Sequence, residues 1–130
     1  MQAKSPASPP EYGPPISLAA AKKVMEAAEA EAAANARPMV IAIVDSTGHL
    51  VMLHKMDHAQ LASVDIARVK AETALNFKRA TAGFQEALAS GGVNLRLLGM
   101  PGLAPLEGGV PILQDGRVIG AIGVSGMLSS

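Results

Sequence analysis

From Leu18 onward, apolar residues return at the interval of a helix: Leu18, Ala21, Met25, Ala28 and Ala32. Steps of three and four residues gather side chains on one face. Ser17 supplies an N-cap hydroxyl and Ile16 a staple in front of it, so the pattern predicts a helix from Leu18 to about Asn35, stopped by Pro38. The rhythm then changes. Met39 to Asp45 carries Val40, Ile41, Ile43 and Val44, an apolar run short enough for a buried strand. Asp45-Ser46-Thr47-Gly48 has hairpin chemistry and leads into a return strand, His49 to Lys55. Its alternation places Leu50, Met52, His54 and Met56 on one face, and His49, Val51, Leu53 and Lys55 on the other.

Helical spacing resumes from about Ser63 to Arg79. Ile66, Val69, Thr73, Phe77 and Ala80 form the apolar stripe, while Asp65, Arg68, Glu72 and Arg79 gather opposite as an ion-pair face. Lys70 breaks the pattern. At about 100° per residue it falls about 40° from Ile66 and about 20° from Phe77, inside the arc that should be buried. Thr81 is placed to cap a short third helix that ends at Gly91-Gly92. Asn94 to Gly109 is punctuated by Gly and Pro yet greasy, with Leu95, Leu97, Leu98, Met100, Leu103 and Leu106, as in a lid, a pocket wall or an interface. The strongest hairpin signal follows: Val110 to Gln114, an Asp115-Gly116 turn, and Arg117 to Ser125. Gly120, Ala121, Gly123 and Gly126 in that last strand mark the close approach of another backbone, a helix or a ligand. Helix, hairpin, two helices, hairpin is an α+β order with an antiparallel sheet.

Composition narrows the classes. The chain of 130 residues is one domain's worth, and 49% hydrophobic against 17% charged residues excludes a disordered protein. Eleven basic and eleven acidic residues leave no net charge, which argues against nucleic acid or anionic membrane as partners and for self-association. The absence of Cys excludes disulfides, thiolate metal sites and cysteine nucleophiles. Two Phe, one Tyr and no Trp mean that the core is built of aliphatic residues, Met and Gly. No run approaches the roughly 20 apolar residues of a membrane span. Met1 to Pro15, with four Pro by position 14, lacks the apolar stretch of a signal peptide and reads as a flexible arm ahead of a domain over 16–130. Cytoplasm is the default compartment.

The chemistry-bearing residues are few. His49, His54 and His58 are the only histidines, and their strand and loop positions do not make a structural metal site. His54 between Met52 and Met56 suits a flat apolar ligand with an iron to bind, or is an ordinary hydrogen-bonded strand residue. Lys70 reads as a buried amine of lowered pKa, as a fixed cation for a carboxylate, or as a stem with a snorkelling head. Glu107-Gly108-Gly109 offers backbone N–H groups for an oxyanion, with Glu107 as a general acid/base if the leucines desolvate it; a simple glycine turn is the alternative. No G-x-S-x-G elbow or phosphate-binding glycine motif is present.

The strings AIVDSTGHLV (42–51), KMDHAQ (55–60), IARVKAETA (66–74), RAT (79–81), EGGVPI (107–112) and VIGAIGVSG (118–126) together resemble the GlcG/HbpS family, the haem-degrading domain group that includes the C-terminal domain of PduO. The resemblance implies a profilin-like antiparallel sheet of about five strands, flanked by helices in α/β/α layers. It also implies assembly into homodimers or larger rings such as octamers, and links to haem, to cobalamin-related enzymes and to small-acid catabolism. Lys55 stands where the family commonly has Arg, and His58 where it commonly has Gly. The family's C-terminal helix is expected to be missing, since the sequence stops at Ser130. On this reading the ligand-binding residues are His54, Met56, His58, Lys70, Thr73, Arg79, Gly108, Gly109 and Ser125, and haem or a related tetrapyrrole is the leading ligand. The alternatives are a small catabolic enzyme that tautomerises or deaminates an unsaturated acid, with Lys70, Glu107 and Asp57 as its catalytic groups, and a purely structural module.

Overall fold

The computed structural model describes residues 9–126. The first part of the Pro-rich arm and the place of the expected missing C-terminal helix lie outside the described residues. The elements, in order, are α1 (Leu18–Ala34), β1 (Met39–Asp45), β2 (Leu50–Lys55), α2 (Ala62–Phe77), α3 (Ala82–Ser90), a 3-10 helix (Gly92–Gly99), β3 (Gly109–Gln114) and β4 (Arg117–Gly126). The strands form one antiparallel sheet in the order β2-β1-β4-β3. Among the described residues the sheet has four strands, not the roughly five expected. Neither the arm from residue 9 onward nor residues 92–108 form a fifth. Tyr12 makes one parallel bridge to Val118, and Pro14 and Pro15 then offer no N–H to extend it. Residues 92–108 wind into the 3-10 helix and a loop broken at Gly99, Pro101, Gly102 and Pro105.

Local signals fixed most boundaries. Ser17 Oγ accepts the Ala20 N–H at 3.1 Å, and Ile16 is buried beside Ala21 and Met25. Asp115 and Gly116 both take positive φ, 52° and 76°, the pair a tight two-residue turn requires. The β2 alternation is interrupted, however. Ile43 faces Met52 but Val44 faces Leu50, so Val51 is an extra residue in a bulge. Leu50 therefore leaves the face of Met52 and His54, and Val51 joins Met52 against the α1 side.

One helix covers each face. Ile41 and Ile43 pack with Ala21 and Met25 of α1, whereas Val40, Ala42 and Val44 pack under α2. The face that α2 buries is not the one its large residues outline. Ser63, Ala67, Lys70, Ala71, Thr73, Ala74 and Leu75 are buried. Ile66 and Val69 are half-buried, Ala80 is exposed, and Phe77 is 37% exposed. Fit explains the rotation. Opposite α2, β4 presents Ala121, Gly123 and Ser125, and a Cβ on Gly123 would overlap the Ala67 carbonyl and lie 2.6 Å from the Ala71 nitrogen. Only small side chains allow backbones this close.

The described part of the arm is tied to the sheet. Gly13 N–H donates to Val118 O at 2.8 Å, Val118 N–H to Glu11 O at 2.8 Å, and the Tyr12 hydroxyl to Leu75 O at 2.7 Å near the end of α2.

Gly123→Ala should be among the most destabilising single-methyl changes in the chain, by about 1–3 kcal/mol or more, because neither backbone at that contact can yield. Urea unfolding of the two proteins measures it; an unchanged midpoint would refute the close-packed seam.

Candidate functional site

The sequence-predicted site residues fall into two places on opposite faces of the sheet. The first lies where α2 crosses the end of β4. Lys70, only 1% exposed, donates from Nζ to the Val124 carbonyl at 3.2 Å. Gly108 closes over it: at φ 120°, a Cβ there would be 3.1 Å from Lys70 Nζ and would strike the Val124 carbonyl. Burial pushes the Lys70 pKa down, and the charge of Glu107 partly offsets this.

Gly109 packs on the Lys70 backbone, and Thr81 clasps it. Thr81 N–H donates to Gly109 O at 2.9 Å, and Gly109 N–H donates to Thr81 Oγ1 at 2.9 Å. Thr81 therefore does not cap α3 with its side chain as predicted; its hydroxyl is engaged by Gly109. For the same reason the Gly109 N–H is not offered to an oxyanion. Ser125 Oγ meets Ser63 Oγ at 3.3 Å, both fully buried, and Gln60 Nε2 reaches Gly126 O at 3.0 Å.

Glu107 is exposed, with its backbone N–H held by Gln85 Oε1 at 2.8 Å. The expected desolvation by leucines does not occur, because Leu95 and Leu98 of the 3-10 helix turn outward. Thr73 lies one turn beyond Lys70. Its hydroxyl accepts the Ala104 N–H at 3.0 Å and contacts the carbonyls of Val69 (2.7 Å) and Gly102 (3.2 Å), so it anchors the loop. Arg79 stacks on Phe84, 4.4 Å from the ring centre, away from the predicted ion-pair face. That face consists of Arg68 with Glu72 at 3.0 Å and Asp65 at 3.8 Å.

The second place is the outer edge of the α1 face. His54 sits on β2 opposite Ile41, its side chain 45% exposed, with Nδ1 3.1 Å from Glu29 Oε1. An ionised carboxylate can only accept, so in this contact Nδ1–H of His54 donates to Glu29. Met52 lies on the same face, half-buried, and Met56 follows the strand with its N–H on Met39 O at 2.9 Å. Asp57 and His58 are exposed in the next turn, where His58 takes φ 71°. The structure thus joins Lys70, Glu107, Gly108 and Gly109, places Ser125 nearby, and separates all of them from His54. The residues that sequence reasoning missed are Thr81 as a clasp, Ser63, and Glu29. Glu29 stands one turn beyond the buried Met25 on the sheet-facing side of α1, the one signal that could have marked it.

The fold defines a small α+β class, one antiparallel sheet with a helix on each face, and comparison with known proteins names the family. The description "Haem degrading protein HbpS-like" matches residues 16–130, and the chain belongs to that family. It is 38% identical to protein GlcG of Escherichia coli strain K12 over 110 residues, 85% of this chain and 81% of GlcG. A double-mutant form of Streptomyces reticuli HbpS superposes with a TM-score of 0.80 at 29% identity, covering 99% of this chain and 85% of that one. A PduOC:heme complex superposes with a TM-score of 0.76 at 28% identity, covering 86% and 83%.

The lowered Lys70 pKa has a measurable sign. In the pH range between that lowered value and the ordinary value of about 10.4, the unfolded chain binds more protons at this site than the folded one, so stability rises with pH. The cost of the charged amine is full below the folded pKa and vanishes above the unfolded one. Lys70→Met should flatten the increase in urea midpoint on the approach to about pH 10; a slope identical to that of the wild type would refute the burial of this amine.

Proposed function

We propose that the chain binds haem or a related tetrapyrrole with His54 as the iron ligand. The observation that carries this reading is the Glu29–His54 hydrogen bond. Histidines that ligate metals commonly donate their other ring N–H to a carboxylate, which fixes the tautomer and raises ligand basicity. His54 has that partner on Nδ1 and a half-exposed ring. Family membership and the heme complex of the PduO C-terminal region support the same ligand.

The residues at hand fit such a group with one particularity. Tyr12, Phe77 and Phe84, the chain's three aromatics, lie about α2 and α3 and not on β2, so Met52 and Met56 would supply the apolar wall. When bound, haem contributes iron-centred ligand and redox chemistry; the protein contributes the imidazole, its orientation and the methionine surface. Because β2 is a sheet edge and His54 is exposed, the second wall comes from another copy of the chain. The bare strip of the α1 face, with Val110 49% exposed beside half-buried Ile122 and Val124, supports association.

Haem titrated into the wild type should give a shifted Soret band, and His54→Ala should abolish the shift. Glu29→Gln should weaken binding about 10- to 100-fold, the usual effect of removing such a carboxylate. If His54→Ala leaves spectrum and affinity unchanged, histidine ligation by this residue is wrong.

A further inference from the structure

The buried amine on the other face of the sheet has no part in haem ligation. We propose that Lys70 is the nucleophile of a second site, which takes small aldehydes and ketones as Schiff bases. The proposal stands on three features of the same spot.

First, the amine is held at a fixed place inside the fold, at the junction of α2, β4 and the start of β3, where it hydrogen-bonds to the Val124 carbonyl. Desolvation favours the neutral amine, the form with a lone pair to attack carbon. Second, a residue without a side chain packs directly on the amine. Gly108 lies against Lys70 Nζ and Cδ, and the next residue outward, Glu107, is exposed. Its carboxylate still acts on Lys70 electrostatically, and a carboxyl group near a reacting amine is what proton transfer at a carbinolamine needs. Third, the cover is held by a few polar bonds, and none of its residues is fully buried. Residues 99–108 are tied by Thr73 to Gly102 and Ala104, by Gln85 to Glu107 and by Val124 to Gly108, with 99–102 exposed and 103–106 half-buried. Segments of this kind open locally at a low fraction of the global stability.

The chemistry balances without a further reagent. The Lys70 nitrogen forms a bond to the carbonyl carbon, and the C=O π pair moves to oxygen, which takes a proton. The nitrogen gives up one proton to leave a carbinolamine, the hydroxyl departs as water with a proton relayed by Glu107 or solvent as the C=N bond forms, and the iminium nitrogen returns its second proton to that relay. Carbonyl and amine become imine and water.

The test uses the full-length protein, pyruvate as probe and sodium cyanoborohydride, which traps an imine by hydride addition to carbon. Intact mass and peptide mapping then show which lysine carries the adduct. The expected result is a single adduct on Lys70, forming ahead of any on the exposed Lys22, Lys23 and Lys55, and lost in Lys70→Met. Wild-type mapping decides the question even if that variant folds poorly. Gly108→Ala, which fills the space beside Nζ, should slow trapping at Lys70 without affecting the surface lysines. No adduct on Lys70, or labelling confined to exposed lysines, overturns the proposal. Either outcome leaves the His54 reading untouched, since the Soret titration reads the opposite face.

Discussion

The architecture depends on how closely α2 can approach β4. The contact is made by backbone and methyl groups, Ala67 and Ala71 over Gly123, with no large side chain between them. Dispersion falls steeply with separation, so a seam this tight gains much from contacts that are individually weak. It also dictates what stands beside it. Every position on the seam must be small or must run along it, and Lys70 satisfies the second condition: its stem follows the sheet while its amine finds a carbonyl at the strand end.

That constraint explains why a poorly aromatic sequence is sufficient. A core of Phe and Trp would hold helix and sheet apart; this one brings them together. The buried polar groups at the seam, Ser63, Thr73, Thr81, Ser125 and Lys70, all have partners, so the tight interface is not bought with unsatisfied hydrogen bonds.

Much of the fold was legible because it is local. The cap at Ser17, the Asp115-Gly116 turn and the apolar run of β1 each act within a few residues. The burial of Lys70 was legible too, from its angle on the helix. The orientation of α2 was not: ranking side chains by size favours Ile66, Val69 and Phe77, whereas the buried face was chosen by the glycine across from it. The exposure of Glu107 followed from a 3-10 helix that turns its leucines away, and no periodicity signals that turn. The partnership of Glu29 with His54, 25 positions apart, exists only once α1 lies across β2. The family resemblance supplied what local signals could not, the common fold, but its strand number had to give way to the backbone.

The Thr81–Gly109 clasp has a consequence for how the protein can vary. It joins two residues 28 positions apart, so the stretch between them is a ring closed at its neck, with further ties from Thr73 to Gly102 and Ala104 and from Val124 to Gly108. Loop-closure entropy grows only logarithmically with length, about 0.6 kcal/mol for each doubling. Residues can therefore be added to or removed from the exposed part of this ring, around Val93 to Leu98, while the sheet, the seam and Lys70 stay where they are. Clasp and ties together leave one exposed stretch free to diversify beside a site that cannot.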